Sequence, residues 1–157
     1  MCEYCGCRGV APIAELMDEH AALVDQAGHV RHDLATGDRT SALARLGTLV
    51  ADLERHVGRE EDGVFRALRD AGDFLEEIEL LEGEHRGFAA VVAGLDTSSP
   101  QLLETLTRLL DDLADHVERE DLGIFPVSVV TLGAAGWETV DRAHAESPSF
   151  LLDTPTH

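Results

Sequence analysis

The chain contains no lysine: its 12 basic residues are all arginine, against 31 acidic ones. The net charge of -19 leaves no basic face of the kind that nucleic acid or an anionic membrane requires, so neither is expected as a partner. No apolar run approaches the roughly 18 residues of a membrane-spanning helix. The opening MCEYCGCRGV has neither a basic n-region nor an apolar h-region, so it is not read as a signal peptide, and a cytoplasmic location is expected. Cysteine is scarce: Cys2, Cys5 and Cys7 are the whole set. An odd, clustered trio in a reducing compartment excludes a disulfide framework. Alternation of β-branched residues is also absent, which argues against a sheet. The Arg, Ala, Gly and Leu bias is of the kind that GC-rich bacterial genomes encode.

What is present is 157 residues, enough for one domain with one good core, and 44% apolar content, too much for a disordered chain. A thirteen-residue segment is written twice. Residues 53 to 65 read LERHVGREEDGVF and residues 113 to 125 read LADHVEREDLGIF, with seven identities. Each copy holds a His and a Glu four apart, His56 with Glu60 and His116 with Glu120. Upstream of each copy lies a further echo, Glu19-His20 and Glu84-His85.

Four long amphipathic segments carry these motifs. The first begins after Pro12 and places Ile13, Leu16, His20, Leu23, Ala27 and Val30 at spacings of three and four, stopping near Thr36-Gly37-Asp38. The second spans about 41 to 71, with Leu43, Leu46, Val50, Leu53, Val57, Val64 and Leu68 inward and Gly72 as its stop. The third opens at Asp73 as N-cap and shows Phe74, Ile78, Leu81, His85, Phe88 and Val92. The fourth opens with Ser99 as N-cap and Pro100 as first helical residue; it shows Leu102, Leu106, Leu109, Leu113, Val117 and Ile124, and Pro126 kinks or ends it. A short fifth helix is expected around 137 to 143, with a loosely ordered tail after it. The expected fold is all-α, an up-down-up-down four-helix bundle with a short C-terminal helix. The boundaries are a Cys-containing segment over 1–11, the bundle over 12–130, and the C-terminal helix and tail over 131–157.

In antiparallel hairpins, residues equidistant from a turn share a height. The midpoint of His20 and His56 is residue 38. That of His56 and His85 lies between 70 and 71, and that of His85 and His116 between 100 and 101. One level of the bundle therefore holds all four histidines, each in its apolar stripe. Glu60 and Glu120 lie about 6 Å further along two diagonal helices that run the same way. Four imidazoles and two carboxylates then converge on one interior volume. Buried carboxylates are costly unless compensated, and two metal ions bridged by them would remove the cost. A thiolate-free His and carboxylate set suits iron or manganese better than structural zinc. His29 and His32 lie about 180° and 120° around the helix from His20 and are expected in solvent, as are His144 and His157.

The order His20, His56-x-x-x-Glu60, His85, His116-x-x-x-Glu120 resembles the hemerythrin-like family, the HHE cation-binding domains, over residues 12 to about 130. The resemblance implies a four-helix bundle around two non-haem iron ions, oxo- or hydroxo-bridged, with His20 and His56 on one iron, His85 and His116 on the other, and Glu60 and Glu120 bridging. It implies a small diatomic ligand or peroxide as partner. The oxygen carriers have H-x-x-x-H on the third helix, and here the first of those positions is Leu81. A centre short of that ligand is expected to react with oxygen, peroxide or nitric oxide, in an oxidative or nitrosative stress response, with catalase-like peroxide decomposition as the candidate activity. Iron storage or sensing without turnover is the alternative. Glu82, Asp121 and Tyr4 are further candidate ligands. Asp121 competes with Glu120 for the bridging role, and helical phase relative to Glu60 favours Glu120. Cys2, Cys5 and Cys7 are read either as a redox or metal thiol cluster or as incidental residues of a chain end. Some di-iron proteins that repair iron–sulfur centres join a Cys-bearing domain to such a bundle, but this segment is far too short to be that domain. A ferritin-like bundle would want Glu-x-x-His on two helices, and only Glu82-x-x-His85 fits, so it is rejected.

Overall fold

The computed structural model describes residues 9–153, and every regular element among them is helical. Helix α1 (Ala11–Ala35) is followed by α2 (Arg39–Glu60), which runs through a π-helical turn (Glu61–Phe65) into α3 (Arg66–Asp70). Helix α4 is Leu75–Ala93. Helix α5 (Leu102–Arg119) passes through a second π-helical turn (Glu120–Ile124) into α6 (Phe125–Thr131), and α7 (Ala134–Glu146) and a 3-10 turn (Phe150–Leu152) close the chain. No helix of the described residues is long and apolar enough to cross a membrane.

The first two reversals are built alike. Gly37 and Gly72 take positive φ of 81° and 77°. Behind each, an aspartate N–H reaches back to close the helix: Asp38 to Asp33 O at 2.9 Å and Asp73 to Leu68 O at 3.0 Å. This αL closure satisfies carbonyls that a helix end otherwise leaves open, and glycine occupies it without a Cβ penalty. Asp38 then caps α2, accepting a bond from Ser41 N at 3.0 Å. The expected caps of the other two helices are displaced. Phe74, not Asp73, precedes α4, and α5 starts at Leu102 rather than at Pro100. Pro126 does not end the fourth helix. The π turn just before it alters the bonding pattern where proline lacks an N–H, and the helix continues to Thr131.

Two apolar clusters fill the bundle. One gathers Ile13, Leu16, Phe65, Leu68, Ile78, Leu81, Ile124 and Phe125; the other gathers Leu23, Val30, Leu46, Leu49, Leu106, Leu110 and Leu113. The change-over falls between Met17 and Leu23 on α1, between Leu49 and Val64 on α2, and between Leu81 and Phe88 on α4. The histidine level is thus a polar layer between two apolar clusters. On α2 the buried stripe is Ala42, Leu46, Leu49 and His56, while Val50, Leu53 and Val57 stay half-buried, contrary to the expected phase.

Helix α7 packs on the first π turn and on α3, with Val140 in the first cluster. The tail is more ordered than expected over its described residues, 147–153. Phe150 is 6% exposed within the second cluster, and Arg55 bonds Pro148 O at 2.9 Å and pairs with Asp153. Replacing Phe150 by Ala is expected to cost about 3 kcal/mol through lost burial and the cavity left behind. Urea denaturation at matched metal content measures it; a cost below about 1 kcal/mol would mean that the tail merely rests on the bundle.

Candidate metal centre

His20, His56, His85 and His116 are all at most 6% exposed, and Glu60 and Glu120 are fully buried. The ligand atoms fall into two groups, His20, His56, Glu60 and Glu120 in one, and His85, His116 and Glu120 in the other. His56 Nε2 lies 2.9 Å from Glu60 Oε1, and Glu120 Oε1 lies 3.1 Å from His20 Nε2 and 3.2 Å from His116 Nε2. His85 Nε2 is 3.6 Å from Glu60 Oε1 and 3.7 Å from Glu120 Oε2. Yet both oxygens of Glu60, both of Glu120, and Nε2 of His20 and His56 lack any hydrogen bond of acceptable geometry. Six buried polar atoms crowded together and unpaired fit a cation rather than a hydrogen-bonded core.

The outer nitrogens show why the inner ones are free. Each Nδ1 faces a carboxylate: His20 Asp121 Oδ1 at 2.7 Å, His56 Glu19 Oε1 at 2.8 Å, His85 Glu61 Oε2 at 2.7 Å and His116 Glu84 Oε1 at 2.8 Å. An ionised carboxylate only accepts, so each Nδ1–H donates and each Nε2 presents a lone pair inward. His85 Nε2 and His116 Nε2 are 3.0 Å apart. Two lone pairs at that separation require a proton or a metal ion in reach.

The duplication is now explained residue by residue. Each Glu of the Glu-His echo holds the histidine of its own half, Glu19 to His56 and Glu84 to His116. The matched acids Glu61 and Asp121 of the two π turns cross to the other half, Glu61 to His85 and Asp121 to His20. The repeated phenylalanines cross too. Phe65 stacks on His85 at 5.9 Å and Phe125 on His20 at 5.3 Å, covering one face of each ring. The repeated arginines anchor the outer glutamates, Arg59 Nε to Glu19 at 3.0 Å and Arg119 to Glu84 at 2.6 Å. Adjacent residues of a helix differ by about 100° in direction, so Glu60 reaches the interior while Glu61 reaches His85 from outside.

The halves differ in cover. Arg59 is 1% exposed, sealed beneath the end of α7, where it bonds His144 O at 3.3 Å and Ser147 O and pairs with Glu15. The Arg119 side chain is half exposed. His144 is therefore not the surface residue expected. It packs near Gly63 and Arg59, and burial together with the charge of Arg59 pushes its pKa down to about 4. His29 and His32 are exposed, as their phase requires.

Of the further candidate ligands, Glu82 does not join the cluster: its Oε2 takes Arg69 at 2.9 Å. Asp121 belongs to the outer ring of acids, and Leu81 is buried in the first apolar cluster. Tyr4, Cys2, Cys5, Cys7 and His157 lie outside the described residues. Sequence reasoning missed Glu19, Glu84 and Glu61 as histidine partners, although all three stand in the repeated segments.

Without a metal ion the site stores protons. Burial opposes a charged imidazole, but the hydrogen bond to Asp121 and the close Glu120 carboxylate outweigh it at His20 and raise its pKa to about 9. His85 reaches about 9 in the same way, through Glu120 and the charge of Glu60. Burial and the neighbouring charge of Glu120 push Glu60 well above the usual carboxylate range.

Fold and centre together define a metal-binding helical bundle. The sequence model of the hemerythrin HHE cation-binding domain matches residues 11–128, and the chain belongs to that family. Among curated proteins and among solved structures nothing matches.

Proposed function

We propose that the chain binds two iron ions and uses them to bind or turn over oxygen, peroxide or nitric oxide. The observation that supports this reading is the ring of four inward Nε2 lone pairs around two buried, unpaired carboxylates. In this reading His20, His56 and Glu60 would hold one ion and His85 and His116 the other, with Glu120 within reach of both. Iron there supplies one-electron redox steps and an open coordination position for a small ligand. The chain supplies the rest. The outer carboxylates fix tautomer and ring orientation. Phe65 and Phe125 cover one face of two of the rings. Leu81 offers no ligand atom, which leaves a position free.

After anaerobic loading, elemental analysis is expected to give two irons per chain, with ultraviolet charge-transfer bands of a bridged ferric pair. The di-ferric protein is expected to decompose peroxide. One tightly held zinc with no iron affinity would sink the reading. Full iron loading with no turnover would move the protein to iron storage or sensing.

A further inference from the structure

We propose that the cavity between α2, α4 and α5 is a binding site for a small, uncharged, apolar molecule, an alkyl or aryl compound seated against His85. The cavity measures about 380 Å³ and reaches from the bundle surface to that imidazole. Helix α2 packs closely on α1 and makes hardly any contact with α4 or α5, and the cavity lies in the gap between those three helices, α2, α4 and α5. Its walls are aliphatic or aromatic, Leu53 and Val57 on α2, Phe88 and Ala89 on α4, and Leu113 on α5 among them; Glu54 and His85 are its only ionisable lining residues. The volume lies at the lower end of the range for small-molecule sites and far exceeds what a diatomic ligand needs. Water filling it would find few partners, so displacing that water by an apolar group is favourable. Glu54 and the net charge of -19 disfavour an anion. The same cavity explains why Val50, Leu53 and Val57 stay half-buried on an apolar stripe. What the bound molecule does for the centre rests on the di-iron reading; the site itself does not.

The test is a titration of the full chain with toluene, followed by methyl NMR on metal-free protein and repeated on zinc-loaded protein, with metal content measured in each sample. Saturable shifts are expected at Leu53, Val57 and Leu113. Ala89→Phe, at an exposed position of the wall, is expected to weaken binding at least tenfold, and Val50→Phe serves as the second filling variant should Ala89→Phe fold poorly. Absence of saturable shifts overturns the proposal, as do filling variants that bind toluene like the wild type. Wall shifts that follow protein concentration rather than toluene also overturn it, because a second copy then occupies the seam. Iron uptake is measured on a separate sample: toluene binding in a chain that takes up no iron would leave the pocket standing and remove the di-iron reading, and iron uptake without toluene binding would do the reverse.

Discussion

Glu120→Gln is expected to empty both halves of the centre. Glu120 is the one carboxylate common to both ligand groups, and one of its oxygens lies within 3.2 Å of imidazole nitrogens from each half. The substitution keeps shape and hydrogen-bonding capacity but removes the negative charge that a divalent ion needs in a site without bulk water. Metal affinity should fall by more than the roughly 10- to 100-fold that loss of an outer partner causes. Glu84→Gln supplies that comparison: it keeps every inner ligand and perturbs only the acid that orients His116. Equilibrium dialysis against graded iron, with elemental analysis, separates the two. The expected order is wild type, then Glu84→Gln with reduced affinity, then Glu120→Gln with almost none. A Glu120→Gln protein that keeps two ions at wild-type affinity would falsify the assignment of Glu120 to the centre.

Metal-free protein is expected to lose stability as pH rises from about 6.5 to about 9, while loaded protein stays nearly flat. The sign follows from His20 and His85, whose folded pKa values of about 9 lie above the ordinary 6.5. In that window the folded state binds more protons than the unfolded one, so stability falls with rising pH. The contribution is complete below about 6.5 and gone above about 9. Glu60, also pushed up, acts in the same sense. His144, shifted down, opposes folding only on the acid side, and Glu84 and Glu120, also shifted down, add stability that is lost only as pH falls below the carboxylate range, so none of them acts in this window. Linkage amounts to roughly 3 kcal/mol for each of the two histidines across the window, or about 10 °C in Tm per group for a chain of this size. Bound metal replaces the protons and removes the dependence, and metal affinity should itself rise with pH. Calorimetric scans at several pH values, with and without chelator, decide it. Parallel curves would mean that no metal competes with these protons.

The helices and the histidine level were legible because both rest on local rules. Apolar spacing places Leu16, His20 and Leu23 on one stripe, and distances from the Gly37 and Gly72 turns set His20, His56 and His85 at one height. The helix ends were less legible. Helix α4 begins at Leu75 and α5 at Leu102, past the expected caps Asp73 and Ser99; at α5 the burial of Leu102 outweighs the small preference of Ser99 for a cap. The half-buried stripe at Val50, Leu53 and Val57 was misread as core because periodicity reports which face is apolar, not whether a neighbouring helix closes over it.

The sequence by itself determined the all-α bundle, the family and the six inner residues His20, His56, Glu60, His85, His116 and Glu120, because spacing along a helix is a rigid ruler. Only the tertiary structure decided their partners. Glu61 reaching His85, Asp121 reaching His20 and Arg59 sealed beneath the end of α7 are contacts between elements far apart in sequence, set by helix packing and by two π turns that leave no periodic trace. Those contacts orient every imidazole inward, and they turn a duplicated motif into a centre with one covered half and one open one.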